Sequence, residues 1–248
     1  MAELFWLKRP AAHRGLHDRT KGIIENSASA VRAAMGKGLA IEVDLQCAKD
    51  LMPVVFHDAT LDRLTNETGP VSAHSAEALS STLLRNSQDR ILTLPALLNI
   101  VNGYVPLLLE VKSTWTREGK FEANIATILA AYKGPVAVMS FDPYALQSFR
   151  ETAPNLPRGL VAERFFDDEQ AWPQLGFWQR FAMRNLFTAA IARPHFIAYD
   201  IRALPALAPL VAKVLFGLPL LTWTVHTEEE RERAMRYADA MIFEGVKP

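Results

Sequence analysis

The stretch Leu39-Ala40-Ile41-Glu42-Val43-Asp44-Leu45 is an apolar run broken at two positions, both carboxylates and two residues apart. Side chains alternate along a strand, so Glu42 and Asp44 share one face. Two acids at the end of a buried strand are costly unless a cation or hydrogen bonds compensate them, and their oxygens suit a hard divalent ion. A second apolar run, Pro53-Val54-Val55-Phe56, follows closely and ends on His57-Asp58. Upstream, Ala11-Ala12 leads into His13-Arg14-Gly15. Downstream, Leu107-Leu108-Leu109 leads into Glu110-Val111-Lys112. Each time an apolar segment that belongs in a sheet carries ionisable residues at its carboxyl end.

Working outward, short apolar runs recur at residues 5–12, 39–45, 106–111, 135–140, 158–162, 196–200, 218–225 and 240–243. Helical spacing or helix punctuation separates them at 27–35, 93–100, 121–132, 143–152, 177–190, 205–216 and 228–237. Two helix starts have a mechanism. Asp142 precedes an N1 proline, and Thr227 with Glu230 has the spacing of a capping box. Eight strands alternating with helices in 248 residues predict an α/β fold, a TIM (β/α)8 barrel of about 250 residues, over an open doubly wound sheet. No glycine-rich nucleotide loop competes with that reading. Residues 1–248 therefore read as a single domain. Its exception is 58–91, a small insertion after the second strand, rich in Thr, Asn, Ser and Gly, that reads as an inserted cap.

Composition narrows the function classes. Half the residues are hydrophobic and 22% are charged, enough for a full core and too apolar for disorder. The 27 basic residues are matched by 27 acidic ones, which removes the electrostatic footprint of a nucleic-acid partner. The lone Cys47 forms no internal disulfide, and the first ten residues lack a signal-like apolar stretch, so a cytoplasmic location is expected. No run approaches the ~20 apolar residues of a spanning helix. Residues 172–192 are rich in aromatics and carry Arg180 and Arg184, which predicts an amphipathic segment packed on the barrel or in peripheral membrane contact.

The ordered set His13-Arg14-Gly15, Glu25-Asn26-Ser27, Glu42-Val43-Asp44, Pro53 to Asp58, Thr60-Leu61-Asp62-Arg63, Glu110-Val111-Lys112 and Trp223-Thr224-Val225 resembles the glycerophosphodiester phosphodiesterase family along nearly the whole chain. The resemblance implies a TIM barrel that hydrolyses a small-molecule glycerophosphodiester to glycerol 3-phosphate and an alcohol. It implies that Glu42, Asp44 and Glu110 bind one Mg2+ or Ca2+. His13 and His57 would form the acid–base pair, in either order, while Arg14 and Lys112 hold the phosphate and Trp223 flanks the substrate or packs the barrel top. The residue types fit that chemistry: a phosphodiester needs its growing charge neutralised, and imidazole exchanges protons near neutral pH. Two other readings stand beside it, a lysophospholipase D type of activity at a membrane surface and a non-catalytic barrel that binds a phosphorylated ligand.

This chain departs from the family pattern at four places. Ile24 stands for a proline, Asp50-Leu51 for a glycine turn, His226 for an asparagine and Glu244 for an aspartate. The last two are expected at the active end of the barrel. Glu25-Asn26 is expected to start the first helix, with Asn26 as its cap, support of Arg14 being the lesser reading, while His17, His74 and His195 read as surface or packing residues and Cys47 as core.

Overall fold

The computed structural model describes residues 4–166 and 172–248. Ten strands are assigned among them: β1 (Ala11–Ala12), β2 (Ala40–Cys47), β3 (Pro53–Val55), β4 (Leu92–Thr93), β5 (Leu107–Val111), β6 (Val136–Ser140), β7 (Arg158–Ala162), β8 (Phe196–Asp200), β9 (Leu220–Val225) and β10 (Ala240–Phe243). Eight are parallel and close on themselves in the order β1, β2, β5, β6, β7, β8, β9, β10, because β1 pairs with both β2 and β10. This is the TIM barrel the alternation predicts.

The helices are α1 (Ala28–Met35), α2 (Ala76–Ser81), α3 (Leu94–Val101), α4 (Lys120–Ala130), α5 (Pro143–Thr152), α6 (Phe177–Arg184), α7 (Ala189–Ala192), α8 (Leu207–Phe216) and α9 (Glu228–Tyr237). Local chemistry starts several of them. Asp142 accepts the Tyr144 N–H at the head of α5, and Thr227 and Glu230 close a capping box on α9. Outward residues of the strands, such as Val43, Leu109 and Val138, pack with Val31, Leu97, Ile125 and Phe149 of the helices. Among the described residues no helix is long and apolar enough to cross a membrane.

Inward residues form a second core of Ala11, Ala40, Leu108, Ala137, Val161, Phe196 and Leu221 at the amino end of the barrel. Phe196 fills its centre, and Gly159 makes room for it: a Cβ there would lie 2.2 Å from the Phe196 ring. Two residues further along β1, β2 and β5 the inward positions are His13, Glu42 and Glu110, which puts the ionisable residues at the carboxyl end of the barrel.

Three expectations need correction. Residues 5–12 are not one strand: a single 3₁₀ turn, Phe5–Lys8, precedes a two-residue β1, because Leu7 is buried across the barrel floor with Trp6 beside it. The helix expected at 177–190 breaks after Arg184, where Leu186 takes φ +59° and turns its side chain into the core. The helix expected at 205–216 begins at Leu207.

Residues 58–91 are folded. β3 turns back antiparallel on β2, with Leu45 opposite Val55, and β4 pairs with β3. Phe56, Leu61, Leu64, Val71, Leu79, Leu84 and Ile91 build a separate apolar cluster that also takes in Ile24. The family's proline at that position is replaced by a side chain that fills this cluster.

Candidate active site

β2 carries Glu42 and Asp44 inward, as alternation requires, and both are buried. On the adjacent β5, Glu110 is the register partner of Asp44. One oxygen from each of Glu42, Asp44 and Glu110 lies within 4.8 Å of the others. Lys112 bonds both Glu110 and Asp44, the latter at 2.8 Å, so the pairing of Glu110 with Lys112 that their spacing allows is part of a larger cluster. Burial alone would raise the Asp44 carboxyl, but Lys112, His57, Arg14 and His13 outweigh it and hold Asp44 well below the usual carboxylate range. Burial would likewise lower Lys112, yet Asp44 and Glu110 hold it ammonium well above its ordinary value. Glu42 goes the other way: burial, then Asp44 and Glu110, push it well above the ordinary glutamate value. Its Oε1 is buried with no hydrogen-bond partner. Three converging oxygens, one of them orphaned and held next to two like charges, fit a hard divalent cation.

The loop after β1 brings His13 and Arg14 to the same cluster. Arg14 sits at φ +55°, held there by its own N–H, which donates to Glu42 Oε2 at 2.9 Å. Gly15 follows at φ +78°, and a Cβ on it would lie 2.8 Å from Ala30 Cβ of α1, so the glycine of this motif serves both conformation and space. The Arg14 guanidinium donates to Glu25 at 2.6 Å, and its Nε stands 3.4 Å from Asp44. His13 and Arg14 line a cleft of about 430 Å³ with Asp44, His57, Glu110 and Lys112. Trp223, Thr224, Trp115, Phe141 and Trp172 form its other wall. Phe141 stacks tilted on Trp172 at 4.8 Å and edge-on to Trp223 at 5.5 Å. The Trp223 Nε1–H is buried without an acceptor.

Both histidines are backed by a carboxylate. His13 Nδ1 lies 2.9 Å from Glu244 Oε2, and its Nε2 lies 4.0 Å from Glu42 Oε2. His57 Nδ1 lies 2.7 Å from Asp58 Oδ1. In each ring the backing leaves Nε2 as the nitrogen free for chemistry. Burial holds His57 below the ordinary imidazole value; Asp44 opposes this, and Lys112 and Arg14 add to it. The hydrogen bond to His13 and the nearby His17 ring hold Glu244 well below its ordinary value.

Behind these groups lies a layer that the sequence reading reached only in part, through the lesser reading of Glu25-Asn26 as support for Arg14. Glu25 accepts from Arg14, and also from Arg63 of the insertion at 2.8 and 2.9 Å; Arg63 in turn donates to Asp58 at 2.6 Å. The chain Arg14, Glu25, Arg63, Asp58, His57 ties the β1 loop to the insertion. Burial would raise Glu25, but Arg63 and Arg14 bring it down to about 2. Asn26 is not the cap of α1. Ser27 is, and Asn26 at φ +59° donates its side-chain N–H to Asp44 at 2.9 Å while accepting the Asp44 backbone N–H. His17 is not a bystander, for its Nε2 reaches within 3.5 Å of Glu244. The only prior signal was the departure at Glu244. His226 is exposed at the start of α9 and lines no part of the cleft. His195 packs, accepting the Arg158 N–H, and Cys47 is core, its thiol pushed up to about 11 by burial.

A sequence profile of the glycerophosphoryl diester phosphodiesterase family matches residues 13–246. The chain belongs to the glycerophosphodiester phosphodiesterase family. This family member is an enzyme, a phosphodiesterase. It is similar to a glycerophosphodiester phosphodiesterase of Caldanaerobacter subterraneus subsp. tengcongensis, with 28% identity over 235 residues, 91% of this chain and 88% of the relative. Glycerophosphodiester phosphodiesterase 1 of Bos taurus is 26% identical over 254 residues, 89% of this chain and 72% of its own. Among solved structures, an Oleispira antarctica phosphodiesterase in complex with the product sn-glycerol-3-phosphate shares the fold. The TM-score is 0.77 at 20% identity, covering 95% of this chain and 92% of that one.

Proposed function

We propose that this family member hydrolyses a glycerophosphodiester to glycerol 3-phosphate and an alcohol, with His13 and His57 as the acid–base pair. The observation that carries the reading is the pair of carboxylate-backed histidines, His13 on Glu244 and His57 on Asp58, lining one cleft with three converging carboxylates. A divalent cation, Mg2+ or Ca2+, held by Glu42, Asp44 and Glu110 would neutralise charge on the phosphoryl oxygens. Arg14 and Lys112 hold the diester and offset its charge. One histidine takes the proton from the attacking oxygen, a water or the neighbouring glycerol hydroxyl. The other gives a proton to the leaving alcohol. Their Nδ1 bonds fix each ring so that Nε2 does the exchange, and Trp223 walls the substrate. Residues 58–91 form a cap on the single barrel domain, and supply Arg63 to hold Asp58.

The aromatic wall of Trp115, Phe141, Trp172 and Trp223 favours a second substrate reading, a lysophospholipid whose chain lies along it. The experiment is release of glycerol 3-phosphate from glycerophosphocholine and glycerophosphoethanolamine, after EDTA and with Mg2+ or Ca2+ restored, beside release of choline from lysophosphatidylcholine. Metal-dependent release is expected, with loss on His13→Ala or His57→Ala while the fold persists. Either variant keeping near wild-type turnover overturns the mechanism.

A further inference from the structure

We propose that the face built by α6, α7 and α8 docks on an anionic lipid bilayer. Large apolar side chains that reach solvent concentrate there: Phe177, Trp178, Phe187, Leu207, Leu215 and Phe216 are 61% to 80% exposed. Burying such side chains at a membrane is favourable, and a monomer rarely leaves so contiguous a set in water. Between them runs a groove of about 850 Å³ walled by Phe187, Ile197, Leu207, Val211 and Phe216. A basic recess of about 530 Å³, lined by Arg164 and Arg184, adjoins it and shares Asn185, Leu207 and Ala208 with it. A cationic recess beside an apolar groove has the form of a phosphate headgroup beside its acyl chain.

Charge points to the same occupant. Residues 172–218 carry Arg180, Arg184, Arg193, Arg202 and Lys213 against the single acid Asp200, in a chain whose charges balance overall; Arg202 pairs with Asp200 and Lys213 with Asp239, so Arg184 and Arg193 supply most of the field of this face. Asp200 is buried and bonded to Arg202 at 2.7 Å, so it offers the surface little negative field. A second copy of the chain fits worse. A two-fold contact would bring together two faces that both carry the exposed Arg184 and Arg193, so like charge would meet like charge across it.

The face also leads to the cleft. Phe166, Phe177, Trp178, Phe181 and Phe187 touch ring to ring at 5.2 to 6.2 Å along the outside. Phe165, the neighbour of Phe166, packs inward on Trp172 at 5.2 Å in the cleft wall. A docked bilayer would therefore lie against the same loop that walls the active site, so that substrate in the membrane plane is close to the mouth.

The test is co-sedimentation with vesicles of phosphatidylglycerol and phosphatidylcholine, and of phosphatidylcholine alone, at low and high salt. Wild-type protein is expected to bind the anionic vesicles about tenfold more tightly or better, with the gain falling as salt rises. Trp178→Ser with Phe216→Ser should lose at least about tenfold on both vesicles. Arg184→Gln with Arg193→Gln should lose the preference for phosphatidylglycerol alone. Turnover of glycerophosphocholine without vesicles should be unchanged in both double variants, and circular dichroism confirms that they fold. Wild-type protein left in the supernatant with anionic vesicles at low salt overturns the proposal. So does light scattering that shows a dimer dispersed by Trp178→Ser with Phe216→Ser, because the apolar face would then be an interface between copies. Neither readout depends on which phosphodiester is cleaved.

Discussion

Asp58→Asn tests how His57 is set for proton transfer. Asp58 Oδ2 faces Arg63 Nε at 2.6 Å, while Oδ1 faces both Arg63 Nη2 at 2.9 Å and His57 Nδ1 at 2.7 Å. Asparagine has one acceptor oxygen and one donor amide. With its oxygen at the Oδ1 position, the amide points N–H against the Arg63 Nε–H. With the oxygen at the Oδ2 position, the amide donates to His57 Nδ1 and places the ring's proton on Nε2. In that tautomer Nε2 cannot accept a proton, and a neutral imidazole is a weak acid. A wrong tautomer in an enclosed triad costs about 10⁴ in rate. Here the His57 and Asp58 side chains are 33% and 23% exposed, so water offers alternative partners. The expected loss is roughly 10²-fold in kcat, about 2.7 kcal/mol of barrier. The assay is kcat and kcat/KM on glycerophosphocholine against pH, with circular dichroism to show the fold intact. A folded Asp58→Asn enzyme within threefold of wild-type kcat would refute the reasoning.

Three further predictions follow from the same geometry. Glu25 titrates at about 2 in the folded chain against an ordinary 4.5, a depressed carboxyl. Its stabilisation, about 3 kcal/mol, is therefore present above pH 4.5 and lost as pH falls toward 2; Glu25→Gln should destabilise by about that at pH 7 and by little at pH 2 in urea melts. Leu51 stands at φ +63° where the family has a glycine turn, and it is 39% exposed. Leu51→Gly should raise stability by about 0.5–1 kcal/mol, and an unchanged or lower Tm would remove the strain argument. Saturating Mg2+ or Ca2+ at about a hundredfold over Kd should add about 2.7 kcal/mol and raise Tm by about 5–10 °C, and Glu42→Gln should abolish the shift.

The strands and helices that sequence placed well are those whose signal is local. β7, β8, β10, α5 and α9 lie where periodicity and caps put them, because each element's pattern and punctuation sit within its own residues. Residues 5–12 failed for the opposite reason: what Leu7 does is decided by the far strands whose floor it covers. The same division runs through the site. Glu42 and Asp44 are legible as one face of one strand, and Glu110 as the end of the next. The backing of His13 by Glu244 spans 231 residues and exists only because β10 closes against β1. Arg63 and Glu25 are 38 residues apart and meet only once the insertion folds over the β1 loop. Asn26 looked like a cap because its residue type favours that role, whereas the buried Asp44 competes for the same amide.

β2 has eight residues where β5, β6, β7 and β8 have five each. Its first five residues are a stave of the barrel and carry the acids; its last three residues are a bracket on which β3 hangs. The tuned part of the molecule and the replaceable part are thus mounted on a single beam, with most apolar side chains of the outboard part in a cluster of their own. Exchanging the outboard piece for another sequence, with an arginine kept to bridge Glu25 and Asp58, would reshape what reaches the cleft and leave the acids where they stand. Diversity of substrate in such a scaffold is reached by carpentry at the rim.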